Sequence, residues 1–211
     1  MAKIFSGAAR LGGARIVDPV ARALLRAGVS PDAVTLAGTL GVLVAAVGFG
    51  TRGEFVIGSL IVAGFALVDM LDGAMARARG YGTRFGALLD STMDRLADGA
   101  VLGAVAYWYA TRDETVTVAV ALVCLVAGQM VSYVKARAQS LGIDCDVGLA
   151  ERTERLVVVG TGAVATGLGV GWALPAALWV LAVLSLFTVA QRVIHVRRAD
   201  LASRRGEEQQ R

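Results

Sequence analysis

Six apolar runs decide what this chain can become. They cover residues 33–50, 55–68, 85–110, 115–134, 156–174 and 176–190, the third carrying charges early and turning apolar from Gly99. A helix that crosses a bilayer needs about 20 mostly apolar residues. A soluble core would supply one or two such runs, whereas six in 211 residues would leave almost no polar surface. An all-α integral membrane protein with six transmembrane helices is therefore expected. Composition agrees: 56% of residues are hydrophobic and 18% are charged, against about 25% charged in an ordinary soluble domain. Disorder is excluded by such apolarity, and two cysteines, Cys124 and Cys145, are too few for a disulfide scaffold. A net charge of +4 with 6% aromatic residues does not point to nucleic acid as a partner, because the charges are not spread evenly.

Ahead of the first run, Ile16, Val17, Val20, Ala21, Leu24 and Leu25 recur at helical spacing beside Arg15, Arg22 and Arg26. That pattern predicts an amphipathic helix over about 14–28, lying on the membrane surface. No cleavable signal peptide is expected before a first run that begins near residue 33. Basic residues gather in the N-terminal arm, between runs two and three, between runs four and five, and after run six. The opposite side holds Arg52 and Arg112. Positive-inside bias then places both termini in the cytoplasm, in a plasma-membrane protein. A single membrane domain over 1–202, with its six spans between about 32 and 196, and a disordered cytoplasmic tail over 203–211 complete the expectation.

Ionisable groups at membrane depth cost roughly 2.5–3.5 kcal/mol each on insertion scales, so they mark function. Asp69 and Asp72 close the second run, and Asp90 and Asp94 open the third. These spacings put each pair on one helical face. A short connection between the two helices brings the pairs together. Four carboxylates so close repel one another and protonate unless a cation sits among them. Hard divalent cations, Mg2+ above all, take oxygen ligands of this kind and bridge to phosphate oxygens. Structural pairing with Arg77, Arg84 and Arg95 is the alternative.

The full spacing reads Asp69-x2-Asp72-Gly73-x2-Ala76-Arg77-x8-Gly86-x3-Asp90-x3-Asp94. It resembles, at all eight fixed positions, the signature of the CDP-alcohol phosphotransferases, integral membrane enzymes of phospholipid biosynthesis. The resemblance extends over residues 14–196 and implies the same six-span fold, commonly as a homodimer. It implies two Mg2+ ions (or Mn2+) per active site, held by Asp69, Asp72, Asp90 and Asp94, with Asp69 and Asp90 bridging both. Asp94 would also be the general base. The implied reaction is attack by an acceptor hydroxyl on the β-phosphorus of CDP-diacylglycerol, with release of CMP. Gly73 would leave room for the nucleotide, and Arg77 would set a cation against the pyrophosphate. Pro31, Asp32, Ala33, Val34 and Thr35 resemble the family's cytidine-contacting segment, although Asp32 also suits the N-cap of the first span. Thr83 would reach the nucleotide phosphates through its hydroxyl.

A basic set then bears on the acceptor. Lys135 and Arg137 end the fourth run, Arg152 and Arg155 begin the fifth, and Arg192 follows the sixth. Several such donors suit a dianionic phosphate. Lys135, Arg155 and Arg192 are the preferred phosphate ligands, with Arg137 and Arg152 behind them. The segment 148–155 is similar to that of family members that accept inositol 3-phosphate and make phosphatidylinositol phosphate. A sister enzyme using glycerol 3-phosphate, a phosphatidylglycerophosphate synthase, would share every aspartate. A divalent-cation transporter is the reading from another class, but it should hold its acids near the bilayer midplane. The Asp144-Cys145-Asp146 triplet is expected to be a solvated turn.

Overall fold

The computed structural model describes residues 17–80 and 82–209, and every element among them is helical. Helix α1 covers 17–26, α2 Pro31–Gly48, α3 Phe55–Ala78 and α4 Arg84–Ala110; α5 covers Thr115–Ser140, α6 Arg152–Gly167 and α7 Ala173–Gln209. A short 3-10 turn, Gly50–Arg52, joins α2 to α3. Residues 14–16 of the expected surface helix lie outside the described residues.

Four helical stretches are long and apolar enough to cross a membrane: Pro31–Arg52, Phe55–Ala78, Thr115–Ser140 and Ala173–Ser203. The chain is a multi-pass membrane protein. The other two runs differ for separate reasons. Helix α4 has 27 residues, but Asp90, Asp94, Arg95 and Asp98 interrupt its apolar face. Helix α6 has 16 residues, which at 1.5 Å each is about 24 Å against a hydrocarbon core of about 30 Å. The run expected over 156–174 does not continue as one helix. It breaks after Gly167, where Gly169 takes a φ of +104° that side-chain-bearing residues avoid. Leu174 therefore belongs to α7. At the other end α7 runs on to Gln209.

The chain divides into two compact units, one through Ala104 and one from Val105. In the first, α2 packs on α3. Gly41 presses on the Phe65 ring so closely that an added Cβ would fall inside it, while Gly38 meets Val68 and Gly58 meets Phe49. Residue numbers rising on one helix as they fall on the other make the pair antiparallel. Small residues permit such close approach where no water drives helices together. Ser30 caps α2 by accepting from Ala33 N at 3.1 Å, and Pro31 follows it at the helix start, where its missing N–H costs nothing. Helix α1 lays Val17, Ala21, Leu24 and Leu25 against Ala74, Met75 and Val34. It thus packs on the end of α3 that carries the aspartates.

In the second unit α7 packs against both α5 and α6. Cys124 Sγ donates to Leu178 O at 3.2 Å, and a Cβ on Gly162 would stand 2.6 Å from that of Ala177.

Candidate active site

Asp69 and Asp72 lie three residues apart on α3, which puts both carboxylates on one face. Asp90 comes to them from the second turn of α4. Each offers one oxygen, and these oxygens all lie within 4.8 Å of one another. Three carboxylates this close, with Asp72 only 8% exposed, form an oxygen-rich donor set that suits a hard divalent cation. Asp72 is held at both oxygens: Thr35 Oγ1 donates to Oδ2 at 2.5 Å and Gly73 N to Oδ1 at 2.5 Å. Asp94, one turn beyond Asp90, is not part of this close group. Its Oδ2 lies 3.7 Å from Arg95 Nη2.

Next to the acids the backbone is left open by glycine. Arg77 Nη1 lies 3.4 Å from where a Cβ on Gly73 would stand, so the guanidinium crosses that glycine. Over Gly86, Thr83 Oγ1 and Asp32 Oδ1 lie 2.9 Å and 3.1 Å from the position of an added Cβ. Thr83 serves as the cap of α4, accepting from Gly86 N at 2.8 Å. Asp32 is free of the capping role, because Ser30 fills it, and it meets the start of α4 instead. Pro31, Asp32 and Ala33 thus form the first turn of α2 beside Gly86. Val34 is buried with Ala74 and Met75, and its N–H donates to Ser30 O at 3.3 Å.

The basic residues of the second unit form a bonded network rather than an open patch. Arg192 is 2% exposed. Its Nη1 donates to Val131 O at 2.6 Å, its Nε to Val147 O at 2.7 Å, and its Nη2 to Glu151 Oε1 at 3.3 Å. Lys135 pairs with Asp146 and lies 4.0 Å from Glu151 Oε1. Arg155, also buried, lies along Gly128 and donates from Nη1 to Ala150 O at 3.3 Å. Arg152 is half-buried; Arg137 is exposed and donates to Ser140 Oγ at 3.2 Å. Thr188 Oγ1 accepts from Leu149 N and Ala150 N, both at 3.2 Å. The 144–146 segment is no simple solvated turn, since Cys145 is fully buried and Asp146 is engaged by Lys135.

Asp146, Glu151 and Thr188 are residues that sequence reasoning missed as parts of these sites, and it missed the bond of Thr35 to Asp72. Thr35 closes the Pro31–Thr35 segment, but nothing local points to its bond with Asp72.

Residues 28–195 match the CDP-alcohol phosphatidyltransferase family, and the chain belongs to it. It is an enzyme of phospholipid biosynthesis. Among its relatives, the phosphatidylinositol phosphate synthase of Mycobacteroides abscessus is 53% identical over 186 residues, covering 87% of this chain and 84% of that protein. The synthase of the same name from Streptomyces avermitilis is 50% identical over 192 residues, with 87% and 79% covered. The crystal structure of Mycobacterium tuberculosis phosphatidylinositol phosphate synthase with CDP-DAG bound superposes with a TM-score of 0.82 at 46% identity, covering 86% of this chain and 94% of that one. The same enzyme in complex with manganese and citrate gives 0.81 at 45% identity, with 85% and 88% covered.

Proposed function

We propose that the protein transfers the phosphatidyl group of CDP-diacylglycerol to inositol 3-phosphate, giving phosphatidylinositol phosphate and CMP. One observation carries the reading: Asp69, Asp72 and Asp90 converge in a chain half identical to phosphatidylinositol phosphate synthases. CDP-DAG is the ligand bound in the Mycobacterium tuberculosis structure.

The acceptor hydroxyl oxygen forms a bond to the β-phosphorus of CDP-diacylglycerol, and the pyrophosphate bond to CMP breaks. Asp94 takes the hydroxyl proton, a role open to a carboxylate beside the reacting group. Two Mg2+ ions, held by Asp69, Asp72, Asp90 and Asp94, would neutralise the pyrophosphate and the leaving phosphate. Arg77 sets its guanidinium against the pyrophosphate across Gly73. The first turn of α2, Pro31 to Val34, meets the cytidine, and Thr83 meets the nucleotide phosphates. Lys135, Arg155 and Arg192 hold the acceptor's own phosphate, with Arg137 and Arg152 at its margin. Arg192 is bonded on every nitrogen, so it meets the ligand only where its bond to Glu151 gives way, while Lys135 is the more exposed of the two cations.

In this reading α4 and α6 complete six spans, and α1 with the residues before it lies along the membrane surface. Both termini and the active site face the cytoplasm of a plasma-membrane homodimer. The charged first half of α4 then sits at the interface, where acids are tolerated.

The test supplies CDP-diacylglycerol and Mg2+ with inositol 3-phosphate, free inositol or glycerol 3-phosphate in separate reactions and follows CMP. Turnover is expected with the first alone. Robust turnover with glycerol 3-phosphate and none with inositol 3-phosphate would overturn the acceptor.

A further inference from the structure

The network around Arg192 contains two acids that the proposed reaction does not use. Glu151 Oε1 lies 3.3 Å from Arg192 Nη2 and 4.0 Å from Lys135 Nζ, so one carboxylate is shared by two cations. Asp146 takes Lys135 from its other side. Two positive and two negative groups sum to zero. The charges of Lys135 and Arg192 are thus matched by carboxylates, and a phosphate that is to reach these two cations takes over a position that a carboxylate holds.

The four groups differ in freedom. The Arg192 side chain is 2% exposed and is tied to the carbonyls of Val131 and Val147. The Glu151 and Asp146 side chains are 47% and 69% exposed. Glu151 stands at the N-cap of α6 in extended conformation, with no side-chain bond to the helix amides. Its carboxylate is spent on the cations and not on the cap. A fixed guanidinium facing exposed acids describes an exchangeable site.

We propose that Glu151 is a tethered counter-ion of the acceptor-phosphate site, a positioning residue that holds Lys135 and Arg192 apart and yields its place to the incoming phosphate. The inference rests on the reading that these cations bind the acceptor. A dianionic phosphate offers both cations more charge than one carboxylate, whereas a weak monoanion does not. Glu151 thereby makes the site selective as well as preformed. Asp146 plays the same part for Lys135 alone. A site filled by its own counter-ion nine-tenths of the time binds about tenfold more weakly than an open one.

The experiment compares wild type with Glu151→Gln, which keeps shape and removes the charge, using purified enzyme in lipid nanodiscs. Inorganic phosphate is titrated by calorimetry, and steady-state KM and kcat are taken with inositol 3-phosphate. In Glu151→Gln, phosphate binding is expected to tighten about five- to tenfold. The acceptor KM should fall with it, kcat should stay near wild type, and phosphate should become a better inhibitor. Asp146→Asn, at a more exposed position, should show the same direction with smaller size, and it carries the test should Glu151→Gln fail to fold. Phosphate binding that weakens or stays unchanged in both variants would make the acids mere scaffolding and overturn the inference. Wild-type enzyme that gives no turnover with inositol 3-phosphate would overturn the acceptor reading, whatever the phosphate shift.

Discussion

Thr35 on α2 donates its hydroxyl to Asp72 Oδ2 at 2.5 Å, across 37 residues of sequence. Both residues are buried, so this bond fixes a carboxylate of the acid cluster from the helix whose first turn is proposed to meet the nucleotide. The same oxygen lies 3.2 Å from Pro31 O, but one hydroxyl has one proton, and the charged, nearer acceptor takes it. A hydrogen bond to a charged group is worth about 1.5–3 kcal/mol, at least about tenfold in an equilibrium.

Thr35→Val should accordingly raise the Mg2+ concentration for half-maximal CMP release about tenfold or more. Thr35→Ser, which keeps the donor, should remain near wild type. Mn2+ binding without substrate, followed by electron paramagnetic resonance, should weaken in parallel. An unchanged metal requirement in Thr35→Val would remove the positioning role.

The acids divide by position. Asp69 and Asp90 belong to the close group of oxygens, whereas Asp94 lies beyond it beside Arg95. Asp69→Asn and Asp90→Asn should abolish CMP release, leave a folded protein in the membrane, and lose Mn2+ binding. Asp94→Asn should lose turnover yet retain substantial CDP-diacylglycerol binding. Wild-type activity that survives EDTA would refute the metal assignment, and normal turnover in Asp94→Asn would refute the base.

Local spacing made much of this readable, and long-range packing hid the rest. The pairs Asp69/Asp72 and Asp90/Asp94 follow from helical periodicity, and a short connection suffices to predict that α3 and α4 meet. Thr35 could not be paired with Asp72 without knowing how α2 slides along α3, which the contact of Gly41 with Phe65 fixes. Glu151 lies 41 residues from Arg192, and no local pattern joins them, so the basic residues read as a set of free cations. Hydropathy placed the helices but not the break after Gly167, because glycine is neutral in an apolar count and acts through its backbone. Cys145 read as solvent-exposed between two acids; only the fold turns it inward.

Gly86 tests the nucleotide side. A methyl group there would stand 2.9 Å from Thr83 Oγ1 and 3.1 Å from Asp32 Oδ1, closer than carbon and oxygen pack. Overpacking costs about 1–3 kcal/mol, so Gly86→Ala should raise the KM for CDP-diacylglycerol at least about fivefold. The acceptor KM should hold. Gly64→Ala on α3, where an added Cβ meets nothing within 4 Å, is the control and should leave both constants unchanged. Equal behaviour of the two variants would separate Gly86 from the nucleotide.

Lys135 and Arg192 share Glu151, yet their removal should have different consequences. Arg192 is buried and supplies the donors to Val131 O and Val147 O as well as the pair with Glu151. Arg192→Met would remove a donor from Val131 O, which keeps its helical bond within α5, and leave Val147 O without its guanidinium partner at about 1–3 kcal/mol, and the segment that α7 holds would loosen around Gly148, which packs against Thr188. The Lys135 side chain is 32% exposed, and its partners Asp146 and Glu151 are more exposed still. Pairs of that kind contribute about 0–1 kcal/mol. Lys135→Met should thus melt close to wild type while the KM for inositol 3-phosphate rises about tenfold, the loss of one charge-assisted bond. Arg192→Met should instead lower the melting temperature by several degrees and reduce kcat and acceptor binding together. Neither should change the KM for CDP-diacylglycerol in whatever fraction stays folded. Melting curves in detergent and the two KM values for each variant decide it. An Arg192→Met enzyme as stable as wild type would show that the buried guanidinium is not the bolt its three bonds describe.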